Sequence, residues 1–229
     1  MKNLVLCLTV LFFTLSCTND EDYSAPLLVN SALDTSEVSN RAKNISNPFD
    51  QTGAEFYAQF TFYISEKGYP SSNSQIKDQM LLLSTKASKS SLTSKSIITI
   101  TPEMIALILA NPEVKLLEII DNSSLSNAVK NNLTSFVGDL VNRQNDDYDQ
   151  VYSFIIDYEE DVIDNTILEE DEKDTILKVS SISRYSLYAE ARVRDRDWET
   201  SVTNRSSTAV FDKTDRTLIT LAVLFNTLH

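Results

Sequence analysis

Between Leu125 and Val162 the apolar residues fall on two stripes of helical spacing. The first is Leu125, Val129, Leu133, Phe136 and Leu140, the second Tyr148, Val151, Ile155, Tyr158 and Val162. Steps of three and four residues set each stripe along one face of a helix, and a face apolar over several turns has to be covered by another element. The same spacing recurs in Phe49, Phe56, Phe60 and Tyr63. There Asn47-Pro48 supplies a cap and a helix-starting proline, and Lys67-Gly68-Tyr69-Pro70 the stop. Thr101-Pro102-Glu103 and Asn111-Pro112-Glu113 open two short helices. One carries Met104, Leu107 and Ile108, the other Leu116, Leu117 and Ile120. A less regular helix over 169–189 turns Ile176, Val179 and Ile182 to the core, and a last one runs from Thr214 to Leu228. The apolar stretch from Leu218 to Leu228 contains Thr220, Asn226 and Thr227 and falls short of the ~20 residues of a spanning helix, so core packing is expected. The low-complexity stretch STKASKSSLTSKS, from Ser84 to Ser96, reads as a solvated loop between two helices. Strand signals are scarce outside 96–101. The expectation is an irregular all-α bundle forming one domain over 47–229.

What precedes that domain reads as an address. Lys2 is followed by an apolar run from Leu4 to Leu15, the pattern of a signal peptide over 1–16, and too short for a spanning helix, which needs ~20 residues. Leu15-Ser16-Cys17 resembles a bacterial lipobox, in which the cysteine thiol receives a diacylglycerol. Cys17 would then open the mature chain, and its acyl chains would hold it at the membrane, because each buried CH₂ contributes about 0.8 kcal/mol. Asp20, Glu21 and Asp22 follow closely, resembling the acidic tract of lipoproteins exported to the cell surface, so the outer membrane, facing the exterior, is the expected location. From 17 to 46 the chain is rich in Ser, Asn, Asp and Thr without a period, which reads as a flexible tether.

Charge and composition remove whole classes of function. The net charge is −13, and removing 1–16 takes away Lys2 and leaves −14, which disfavours nucleic acid and anionic lipid headgroups as partners. With Cys7 in the signal and Cys17 acylated, no thiol remains for a disulfide, a thiolate metal site or a nucleophile. The one histidine is His229. Triads and zinc or di-iron sites built on histidine lack parts. Gly53, Gly68 and Gly138 form no phosphate-binding motif. No cofactor, no metal and no enzymatic activity are therefore expected.

Two constellations remain. Thirteen acids lie between Asp146 and Asp174, against Lys173 alone, with arginines 184, 192, 194, 196 and 205 after them. A calcium loop is disfavoured because no glycine occurs from Asp139 onward. A glycosidase-type carboxylate pair is the rival, and solvated helix faces partly neutralised by the arginines are the reading adopted. In RVRDRDWETS, Arg192, Arg194 and Arg196 would share one side of an extended strand beside Trp198, the single tryptophan, as a platform for a sugar, a carboxylate or a partner loop. The same arginines could staple that segment to the acidic helices.

Together Cys17 with its acidic follow-up, Asn47-Pro48-Phe49-Asp50-Gln51-Thr52-Gly53 and Asp197-Trp198-Glu199 resemble small exported or lipid-anchored proteins of Bacteroidota. The chain departs from them at Phe56, where many carry histidine, and in its bulky apolar C-terminus. The resemblance implies an exported, all-helical body and supplies no catalytic residues. Asp174-Thr175-Ile176 also resembles an O-glycosylation sequon of these bacteria, although it falls inside a helix with Ile176 inward. The functional expectation is a surface lipoprotein that binds a partner protein or a glycan. A carboxylate-dependent hydrolase and a self-associating or membrane-active factor are the alternatives. Substituting Cys17→Ser should abolish lipid attachment. Acyl label persisting on the serine variant, read by metabolic labelling with detergent partitioning, would defeat the lipoprotein reading.

Overall fold

The computed structural model describes residues 40–90, 100–200, 211–225 and 228, with side chains except those of 87–90 and 194–200. The chain from Ser36 to His229 forms one compact unit. Eight helices of two turns or more follow one another among the described residues, which contain no strand. They are α1 (Asp50–Lys67), α2 (Asn73–Ser90), α3 (Pro102–Ala110), α4 (Pro112–Asn122), α5 (Asn127–Asn142), α6 (Tyr148–Asp164), α7 (Glu170–Thr200) and α8 (Lys213–Leu224). The fold is all-α, as the periodicity predicts.

Local chemistry sets most of the boundaries. Thr101 and Asn111 cap α3 and α4 by accepting from the backbone N–H of Met104 and Val114, each followed by proline. Ser126 caps α5, and Asp147 opens α6 with a capping box shared with Gln150. Gly68, at φ 76°, ends α1 in a backbone conformation that side-chain-bearing residues avoid, and its N–H reaches Ile64 O at 2.9 Å.

The helix α7 runs through the interior. From Thr175 to Glu190 every residue except Lys178 is buried, and α1, α5, α6 and α8 pack around it. Such enclosure needs small side chains where neighbours cross. Ser180, Ser181, Ser183 and Ser186 supply them, and the hydroxyls of Ser180 and Ser183 donate to carbonyls of their own helix. At the crossing with α1, Gly53 N–H donates to Ser181 Oγ at 3.1 Å. The second interior helix, α8, is buried from Lys213 to Leu224 apart from the half-buried Asp215, against α2, α3, α4 and α7. Its apolar run is core, as expected. Among the described residues no helix is long and apolar enough to cross a membrane.

Several expectations need correction. Asn47 does not cap α1, whose N-cap, Phe49, makes no side-chain bond. Asn47 Oδ1 accepts from Phe49 N, and its amide reaches across to α6 and α7. The body also begins before Asn47, because Ala42 and Asn44 are buried in it. Helix α2 is not among the helices expected from the sequence; it buries Ile76, Met80 and Leu83 at helical steps and carries the low-complexity stretch from Ser84 to Ser90 as helix. The rest of that stretch, with most of the strand-like 96–101 segment, lies outside the described residues. Leu107 points to solvent while Ile105, Ile108 and Leu109 face the core.

The α1–α7 crossing gives a direct test. A Cβ on Gly53 would come within 2.4 Å of Tyr185 Cδ2 and 2.6 Å of the Ser181 carbonyl oxygen, whereas one on Gly138 meets nothing within 4 Å. Gly53→Ala should lower stability by about 1–3 kcal/mol through overpacking. Gly138→Ala, inside α5, should raise it by about 0.5–1 kcal/mol. Urea denaturation of the two variants measures both signs.

Candidate functional site

Glu159 lies on the apolar face of α6, between Ile155 and Val162, and is completely buried. A buried carboxylate has to be paired and hydrogen-bonded. Arg184, equally buried on α7, approaches its Oε1 at 3.3 Å through Nη2 and 3.4 Å through Nε. Asn44 Nδ2, Asn47 Nδ2 and Ser180 Oγ donate to the same carboxylate at 2.6, 2.8 and 2.8 Å. The guanidinium in turn donates to Asp50 Oδ1 at 2.9 Å and to the carbonyl of Ala42. Asp50 also receives Asn44 N–H and the Tyr185 hydroxyl. The result is a closed polar knot that ties 42–50 to α6 and α7. A second knot joins α8 to α7 and α2. Arg216 Nε donates to Glu190 Oε1 at 3.3 Å and its Nη2 to Gln79 Oε1 at 2.6 Å, while the Tyr69 hydroxyl donates to Glu190.

Near the second knot, α7 borders a recess of about 340 Å³. It is lined by Tyr188, Ala191 and Arg192 of α7, Tyr148 and Asp149 of α6 with its cap Asp147, Lys213 of α8, and Arg41. Arg41 pairs with Asp149 at 3.1 Å, both side chains exposed. Lys213 Nζ donates to the carbonyl of Asp146, tying the start of α8 to the loop before α6. The Tyr148 hydroxyl donates to Arg41 O at 3.3 Å, and its ring lies 5.2 Å from that of Tyr188, centroid to centroid. Burial pushes the Tyr148 phenol above its ordinary range, so it stays neutral. Arg192 is half-buried, and its Nη1 is enclosed without a hydrogen-bond partner among the described residues.

A second recess, of about 580 Å³, opens beside the first turns of α6. Asp146, Asp147, Asp149 and Asp157 line it, with Arg143, whose guanidinium lies 4.5 Å from the Phe154 ring centroid and 3.4 Å from Asp146. Among the described residues no group of three or more acidic, histidine or cysteine side chains is arranged to hold a metal ion. Asp215 has its carboxyl held above the usual range by partial burial and by Asp212 and Glu113, but it lines neither recess.

The predicted residues distribute unevenly over this geometry. Arg192 lines the first recess, and the backbone of 194, 196 and 198 continues α7 as helix. The extended strand expected to align the three arginines is therefore not formed. The side chains of Arg194, Arg196 and Trp198, and all of Arg205, Cys17, Asp20, Glu21 and Asp22, lie outside the described residues. Thr175 is buried within α7 and its hydroxyl donates to Asp171 O, so the folded body does not offer it to a glycosyltransferase. Of the acidic run, Glu159 departs from the solvated reading. Its signal was present in the sequence: an acid on the apolar stripe, four residues after Ile155. Arg41, Lys213 and the tyrosine pair are not among the expected site residues: Arg41 falls in the expected tether and Tyr148 on an apolar stripe.

No family model, curated protein or solved structure matches the chain.

Removing one partner of a fully buried ion pair strands the other. Arg184→Met should therefore cost about 3–5 kcal/mol, whereas Arg41→Ala, breaking an exposed pair, should cost less than about 1 kcal/mol. Comparable losses for the two variants in chemical denaturation would show that Arg184 does not anchor the fold.

Proposed function

We propose that the protein is a lipid-anchored lipoprotein of the outer membrane, facing the cell exterior, whose helical body binds a partner protein or glycan without catalysing a reaction on it. The observation that carries the binding half is the first recess, where an arginine lacking acceptors adjoins a pair of tyrosine rings. Concave sites with aromatic walls and a few convergent polar groups are where ligands bind. The anchoring half rests on Cys17 at the end of its apolar run and on Asp20, Glu21 and Asp22 behind it.

The hydrolase alternative draws on the second recess, with its four aspartates. Paired-carboxylate catalysis needs an acid held protonated opposite an ionised one, and Asp215, whose carboxyl partial burial holds upward, lines neither recess. The self-associating alternative called for an exposed C-terminal helix, and α8 is enclosed.

Replacing Asp20, Glu21 and Asp22 together with alanine should leave the protein lipidated but facing the periplasm. Digestion of whole cells with a proteinase reads the outcome. Equal cleavage of wild type and variant would reduce the acids to part of a tether.

A further inference from the structure

We infer that the first recess takes an acidic monosaccharide unit, a ring bearing one carboxylate and several hydroxyls, with Arg192 as the partner of the carboxylate. The inference rests on the binding function proposed above and names its ligand class.

Arg192 is the anomaly of the recess. Arg41 is satisfied by Asp149, and Lys213 by the Asp146 carbonyl. Eight residues earlier on the same helix, Arg184 finds acceptors on Ala42, Asp50 and Glu159. Arg192 makes no hydrogen bond or ion pair with any described residue, and one of its terminal nitrogens is closed off from water. A buried donor on a charged group without an acceptor is costly, and an oxyanion supplied by a ligand removes that cost.

The rest of the lining narrows the class. A simple oxyanion such as sulfate brings only acceptors, and would meet Asp147 and Asp149 as like charges. A neutral sugar brings hydroxyls but leaves Arg192 unmatched. A glutamate side chain of a partner protein answers Arg192 but has no hydroxyls for the two aspartates. A uronic-acid ring answers both sets: carboxylate on Arg192, hydroxyls donating to Asp147 and Asp149, and its C–H face toward Tyr148, which the buried Tyr188 backs. The volume of about 340 Å³ falls at the small end of ligand-binding clefts. A chain of net charge −13 also disfavours a polyanionic ligand more than a single carboxylate. The other enclosed donors without partners among the described residues, Gln79 Nε2 and Arg216 Nη1, belong to the second knot and line neither recess.

The test titrates the full chain in detergent with D-glucuronate, D-glucose, inorganic sulfate and triglutamate, followed by saturation-transfer NMR. Saturable binding of glucuronate is expected, with glucose and sulfate weaker. Arg192→Gln should weaken glucuronate by about tenfold to a hundredfold, the range of a charge-assisted hydrogen bond. Its thermal midpoint should not fall below that of the wild type, since the substitution breaks no bond to a described residue and removes an enclosed unpaired charge, and Arg192→Lys should retain part of the affinity. Absence of saturable glucuronate binding, equal binding of glucose, or indifference to Arg192→Gln would each overturn the assignment. A preference for triglutamate that depends on Arg192 would also overturn it while leaving partner binding intact, so failure of the ligand class is distinguishable from failure of the binding function.

Discussion

The fold depends on one buried ion pair, Arg184 with Glu159, because it is the point at which three separate stretches of chain have to agree. Helices α6 and α7 each bring one charge to zero exposure, and neither can be there alone. The segment before α1 closes the arrangement. Asn44, Asn47, Asp50 and the Ala42 carbonyl supply the remaining donors and acceptors. A pair of this kind adds little net stability over a well-packed apolar alternative, since desolvation offsets most of its attraction. We attribute to it the choice of register instead: sliding α6 one turn along α7 would move Glu159 away from the guanidinium and bury two unpaired charges. Double replacement by apolar residues of similar volume, read as retained stability with loss of a single packed state, would separate register from strength.

The same logic repeats at the other side of α7. Helix α8 is apolar enough to pack in many orientations, and an oily cylinder has no preferred rotation of its own. Arg216 supplies one, through Glu190 on α7 and Gln79 on α2, and the Thr217 hydroxyl adds a contact to Ser186 at 3.1 Å. Both interior helices are thus oriented by an arginine. The apolar residues these helices carry, such as Ile176 and Ile182 on α7 and Leu221 and Phe225 on and after α8, are buried without discriminating between rotations.

What the sequence discloses follows from the range over which each signal acts. Capping is local, so Thr101-Pro102, Asn111-Pro112 and the stripes of α5 and α6 translate directly into helices. The Asn47-Pro48 start misleads for a reason that is not local: Glu159 lies 112 residues away and claims the Asn47 amide. Helix α2 escapes because Gln79, Ser84 and its lysines dilute a stripe that only tertiary packing makes apolar. The interior position of α7 is illegible for the opposite reason. A helix enclosed on all sides by close neighbours is rich in serine, and serine reads as surface. Of the candidate site, Arg192 is legible as one of three closely spaced arginines near Trp198, while Arg41, Tyr148 and Lys213 reach the recess from three other stretches of sequence.

Arg184 and Arg192 make the final distinction sharp. They share a residue type and a helix, and stand about two turns apart along its axis. Nothing in their immediate sequence separates an arginine with a full set of acceptors from one without. The difference is in the acceptors each is given. Around Arg184 the chain has assembled two carboxylates and a carbonyl, and the guanidinium is complete. At Arg192 the nearby carboxylate of Asp149 is taken by Arg41, and that of Asp147 by the capping box of α6. The neighbouring acceptors are thus committed within the fold, and Arg192 Nη1 is left enclosed without a partner among the described residues, a cost that the fold avoids at Arg184.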